Sequence, residues 1–227
     1  MGAVADDGPA RPITNRIDLG ISSRELPGGL HVCYLFGDDE ERFQLVARFF
    51  EAGARAGDKL MYLVDRLTPA EIHQRMQQLS ADLRAPDSCL VTRTEDAYFP
   101  DGSFSADDML GKIEELLAQS AKQGFRGTRV TGEMSWILRG VGGTERVMEF
   151  ESRVTSVLKR HPHSAGICQY DINLFSGATL MDVLAVHPYT IVRGQFVENP
   201  FFLEPAEYLR SQSRPRLPQP AHGPGQS

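Results

Sequence analysis

A chain of 227 residues, 41% hydrophobic and 24% charged, can bury a substantial core and sits near the upper size of a single domain. Its formal net charge of -6 excludes a surface of clustered Lys and Arg built to hold phosphates, so direct nucleic-acid binding is not expected. The apolar runs fall short of the roughly 20 residues a membrane helix needs, and Met1 to Arg16 lacks the basic-then-apolar pattern of a secretory signal. A cytoplasmic location away from membranes is therefore expected.

Residues 1–29 are polar and turn-rich and read as a flexible N-terminal tail, with Ile17 to Ile21 as a candidate surface segment. From Leu30 the pattern becomes regular. His31 to Phe36 (HVCYLF) is β-branched and aromatic, and the acids after Gly37 suit the cap of a helix running to about Ala56. Leu60 to Val64 is a short, continuously apolar run, as in a strand covered on both faces. Thr68-Pro69-Ala70-Glu71 combines an N-cap, a first-turn proline and a capping-box acid, and so starts a second helix. Cys89 to Thr92 predicts a third strand, Thr94 to Gly102 a loop, and Ser105 onward a helix with Met109, Ile113, Leu116 and Leu117 on one face. Gly127 to Thr131 is the fourth strand. Thr144 to about Arg160 follows as a helix whose apolar stripe includes Val147, Phe150, Val154 and Leu158. Ala165 to Tyr170, a short helix over Ala178 to Val186 and a strand over Tyr189 to Arg193 complete the series. Strands alternating with helices predict a three-layer α/β fold, a mainly parallel sheet of about six strands covered on both faces. Residues 210–227 carry prolines and few apolar residues, and read as a disordered tail.

In such folds ligands lie beyond the carboxyl ends of the strands. Those ends are rich in acids and aromatics and poor in glycine and lysine. A nucleotide-hydrolysing domain would carry a glycine-rich loop with Lys and Ser or Thr after its first strand, where this chain has Gly37-Asp38-Asp39-Glu40-Glu41. The candidate small-molecule site is Tyr34, Phe36, Glu133, Trp136, Tyr170 and Asp171, with no catalytic set among them. Glu133 either contacts a ligand or bonds backbone or Arg129. Alternation along the fifth strand points Cys168 and Tyr170 to one face, Gln169 and Asp171 to the other. His187 suits a turn that caps the preceding helix. His31 and Cys33 share a strand face that Cys168 and His187 could complete as a soft metal set, but the separations match no zinc spacing, so neither metal nor other cofactor is expected. The three cysteines, Cys33, Cys89 and Cys168, read as reduced core thiols.

The segments HVCYLF (31–36), YFPDGSF (98–104), GFRGTRVTGEMSW (124–136), EFE (149–151), CQYD (168–171), HP (187–188) and NPFF (199–202) together resemble the MEDS domain, a sensory domain of methanogens and methylotrophs. The resemblance spans residues 30–209. It implies a RecA/KaiC-like fold without a phosphate-binding loop, and a sensory or regulatory role in transcriptional or signalling control. A small-molecule ligand or a regulatory partner protein is expected, reached without an output domain of the chain's own. The alternative is a nucleotide- or metal-dependent enzyme using the same strand ends.

Overall fold

The computed structural model describes residues 16–22, 25–84 and 89–212. Its first elements are two short antiparallel strands, β1 (Arg16–Ile17) and β2 (Leu26–Pro27). They were expected to belong to a tail, yet Ile17, Leu19 and Leu26 are buried in the core under the first helix, because an amphipathic stretch this close to an uncovered apolar edge gains more from burial than from solvation. Residues 1–15 and 213–227, both read as tail, lie outside the described residues.

The main sheet begins with β3 (Leu30–Phe36), followed by α1 (Asp39–Ala56), β4 (Lys59–Val64) and α2 (Pro69–Leu79). Asp38 caps α1 by accepting a 2.8 Å hydrogen bond from the Glu41 amide, and Gly57 ends it with φ 78°. At α2 the capping box forms in both directions, Thr68 N–H donating to Glu71 at 2.8 Å and the Glu71 amide donating to the Thr68 hydroxyl at 3.3 Å. Then come β5 (Leu90–Arg93), a single helical turn α3 (Thr94–Tyr98) where a loop was expected, and α4 (Ala106–Lys122). Strand β6 (Thr128–Glu133) runs two residues further than its apolar pattern, so that Gly132 and Glu133 belong to the strand. A 3-10 turn and α5 (Val147–Lys159) lead to β7 (Ser164–Asp171), α6 (Gly177–Val186), β8 (Tyr189–Val192), β9 (Gln195–Glu198) and α7 (Pro205–Gln212).

The strands assemble in the order β5-β4-β6-β7-β3-β8-β9, parallel throughout except for β9 at one edge. Strands β3, β4 and β7 present alternate residues to two separate cores. Val32, Tyr34 and Phe36 of β3 face α1 and α2, where Phe43, Phe50, Ile72 and Met76 meet them. Cys33 belongs to the opposite core, filled by Met109 and Leu117 of α4, Phe150 and Val154 of α5, and Val183 of α6. These are the three layers the alternating pattern predicted. β9 was not predicted. It arises from a tight turn in which Arg193 (φ 49°) and Gly194 (φ 68°) both take positive φ, the two-residue hairpin geometry that favours glycine.

Candidate functional site

The six residues predicted to share a pocket are divided by the sheet. Tyr34 and Phe36 lie in the core beneath α1, and Trp136 and Tyr170 in the core beneath α4 and α5. Glu133 is buried and fully engaged. One carboxylate oxygen accepts from Arg42 Nη1 at 2.7 Å and from the Tyr62 hydroxyl at 2.9 Å, the other from the backbone N–H groups of Asp65 and Arg66 at 2.9 and 3.0 Å. It therefore ties α1 to the ends of β4 and β6, and of its two sequence readings the structural one describes its contacts, with Arg42 in place of Arg129. Arg129 pairs instead with Asp58 at 2.7 Å. Arg66 connects Glu133 to Asp171, donating to Asp171 Oδ2 at 3.4 Å. Trp136 is wholly buried, stacked on Tyr98 with centroids 4.7 Å apart and its indole N–H without a partner among the described residues. None of the six lines the apolar cavity on the α4–α5 side of the sheet.

That cavity, about 240 Å³, lies between the sheet and the α3–α4–α5 layer. Met61 and Leu63 of β4, Val130 and Gly132 of β6, and Gly166 and Ile167 of β7 form its sheet wall, opposite Met109, Ile113 and Leu117 of α4 and Phe150 and Val154 of α5. Small residues on the sheet leave the space: Gly166 faces Leu158, which a Cβ would approach to 3.2 Å, and a Cβ at Gly132 would meet the Tyr98 hydroxyl at 2.9 Å. The exposed side chains Asp96 and Lys112 stand on the solvent side, where Lys112 donates to the Ala97 carbonyl at 3.1 Å and so joins α4 to α3.

Three ionisable side chains of this apolar cavity, His31, Glu151 and Cys168, meet at its inner end, and His187 joins them from behind. Their ligating atoms all lie within 4.8 Å of one another. Glu151 Oε2 is 3.1 Å from Nε2 of both His31 and His187, and 3.3 Å from Cys168 Sγ. The two imidazole rings lie with centroids 4.1 Å apart. Burial pushes the His31 pKa down, with the neighbouring His187 acting in the same direction, to about 4. Burial alone would raise Glu151, but contacts from His187 and His31 outweigh it and hold the carboxyl at about 2. Burial, reinforced by the Glu151 charge, raises Cys168 well above an ordinary thiol. At neutral pH the cluster thus holds a carboxylate, a neutral His31 and a protonated thiol.

Of these four residues, sequence reasoning placed His31, Cys168 and His187 correctly as strand-end or turn residues, and His187 does bond the preceding helix, its Nδ1 lying 2.8 Å from the Val183 carbonyl. Cys33 is not a member; its thiol lies 3.7 Å from the Tyr189 carbonyl. Glu151 was missed. Its signal was a carboxylate inside the apolar stripe of a helix, in the series Val147, Glu151, Val154 and Leu158.

The sequence profile of MEDS, the methanogen/methylotroph DcmR sensory domain, matches residues 30–188. The transcriptional repressor DcmR of Methylorubrum extorquens is 23% identical over 185 residues, which cover 81% of this chain and 68% of that protein. Among solved structures, a KaiC-like protein of Pyrococcus horikoshii superposes with a TM-score of 0.54 at 12% identity, covering 77% of this chain and 78% of that one. The flagellar accessory protein FlaH of Methanocaldococcus jannaschii gives 0.52 at 13% identity, over 81% and 84%. The sheet described above is therefore a KaiC-like α/β fold, its role is sensory or regulatory, and the chain belongs to the MEDS domain family.

Proposed function

We propose that this domain senses a small, mostly apolar molecule held in the cavity between the sheet and α4–α5, and passes the binding event to a regulatory partner. The observation that carries the reading is the cavity itself. Its wall is almost wholly hydrocarbon, and its volume of about 240 Å³ exceeds that of an engineered cavity of about 150 Å³ that takes up benzene. A buried group of polar side chains converges at the inner end, as in sites where a few placed donors and acceptors orient a ligand that is otherwise held by apolar contact. Relay follows from the wall's construction, since α3, α4 and α5 all contribute to it and a ligand favouring one spacing of these helices shifts their position.

Benzene is a suitable probe. Trp136 lies outside the cavity but stacks on Tyr98, which lines it, so occupancy is expected to change tryptophan emission saturably. Ile113→Phe places a ring in the cavity and is expected to abolish that response while the thermal transition is retained. A non-saturable response in the wild-type protein, or an identical saturable one in Ile113→Phe, overturns the assignment.

A further inference from the structure

We infer that His31, Glu151, Cys168 and His187 form a binding site for one divalent first-row transition metal of the zinc class. The inference goes beyond ligand sensing and is independent of whether the cavity takes an organic molecule.

The hydrogen bonds behind the rings assign the imidazole tautomers. His187 Nδ1 lies 2.8 Å from the Val183 carbonyl, which only accepts, so this nitrogen carries the proton. Behind His31, the Thr155 hydroxyl donates to the Val186 carbonyl at 3.4 Å and so accepts from His31 Nδ1 at 2.9 Å. With Nδ1 turned to those outer partners, both rings turn Nε2 into the cluster, each oriented from outside by a protein group, as metal-bound histidines are. His187 Nε2 is 3.1 Å from Glu151 Oε2, and among the described residues Glu151 Oε1 is buried without a hydrogen-bond partner. A completely buried carboxylate is costly unless positive charge lies against it, which a cation among these donor atoms supplies.

The spacing suits such an ion. A tetrahedral zinc site with bonds of about 2.0–2.3 Å sets its donor atoms roughly 3.3–3.8 Å apart. Here four of the six donor pairs measure 3.1, 3.1, 3.3 and 3.5 Å, the last between Cys168 Sγ and His31 Nε2, and all six fall within 4.8 Å. Two imidazoles, a thiolate and a carboxylate form a borderline donor set, which selects zinc, cobalt(II) and their neighbours over magnesium or calcium. Binding displaces the Cys168 proton to solvent, and the two resulting anions neutralise the dication, so the buried site ends without net charge. The donors come from β3, α5, β7 and the turn after α6, so one ion joins four elements.

The test is a titration of chelator-treated full-length protein with cobalt(II), followed by zinc(II). The expected result is uptake of one equivalent, with the visible bands of tetrahedral cobalt and a sulfur-to-cobalt charge-transfer band, all removed by zinc. Cys168→Ser should lose the sulfur band while keeping weaker visible bands. Thr155→Val, which frees His31 Nδ1 without touching a ligand, should weaken affinity by about 10–100-fold. His187→Gln should weaken it by more than Thr155→Val does. Thermal melts of each variant establish that it is folded, and zinc should raise the wild-type transition but not that of His187→Gln. Folded wild-type protein that takes up no cobalt, or uptake whose spectrum is unchanged by Cys168→Ser, overturns the assignment.

Discussion

Glu133 illustrates how much one buried carboxylate can hold. Its four hydrogen bonds go to Arg42 Nη1, whose side chain is only 2% exposed, to the Tyr62 hydroxyl and to two backbone N–H groups at the end of β4. In Glu133→Gln the amide NH₂ must face either the guanidinium or those N–H groups, donor against donor. Removing one partner of a buried ion pair costs about 3–5 kcal/mol. At about 2–4 °C per kcal/mol for a chain of this size, the melting temperature should fall by roughly 6–20 °C. Calorimetry of the variant checks this, and its benzene response should persist, because Glu133 does not line the cavity. Asp58 and Arg129, 2.7 Å apart and both buried, offer a second case. Asp58→Ala alone should destabilise by a similar amount, whereas pairing it with Arg129→Met should recover much of the loss, since no buried charge is then left alone. A double variant no more stable than Asp58→Ala by urea denaturation would contradict this account.

At the scale of elements, the start of α1 decides what can bind there. Asp38 caps the helix, Asp39 pairs with Arg42 at 2.9 Å, and Glu40 and Glu41 add charge to the same turn. A phosphate approaching this N-terminus meets carboxylates where N–H groups and a lysine would be needed. Magnesium-ATP is therefore expected to give no saturable heat in the micromolar range. Asp38→Ala should cost about 1 kcal/mol and lower the melting temperature by roughly 2–4 °C. These helix starts were legible because capping is local chemistry: Asp38 and the Thr68–Glu71 box act within four residues of themselves. α3 and β9 were not legible. α3 is one turn with no side-chain cap, and β9 depends on Arg193 taking a positive φ that its residue type does not advertise.

Across the whole molecule, the sequence showed the layering but not which strand-end residues meet. Alternation from His31 to Phe36 and along β7 assigned residues to faces correctly, since a strand's period is a property of the strand alone. Whether six strand-end residues meet depends on which face each one serves and on what packs there, and Tyr34 and Trp136 ended on opposite sides of the sheet. The cavity arises from small residues, Gly132 and Gly166, set against the span of α4 and α5, a relation between distant segments that no local pattern displays. An apolar hollow of this size forfeits packing, so filling it should stabilise. Ile113→Phe is expected to gain up to about 2 kcal/mol in chemical denaturation while losing benzene uptake, the opposition between stability and function seen at sites kept open for a ligand.

Strand β7 also carries two successive residues with different allegiances. Cys168 points to the histidine cluster, whereas Gln169 donates to Thr131 at 2.8 Å and meets Arg42 and Tyr62 at 3.4 Å on the other side. A strand cannot slide to relieve one of these sets without dragging the other, because the backbone between the two residues is a single peptide unit held to β6 and β3 on both edges. The two faces of the sheet are therefore joined through β7 as two arms about a pivot, and a displacement of Cys168 is expected to shift Gln169 and its contact with Arg42 at the start of α1.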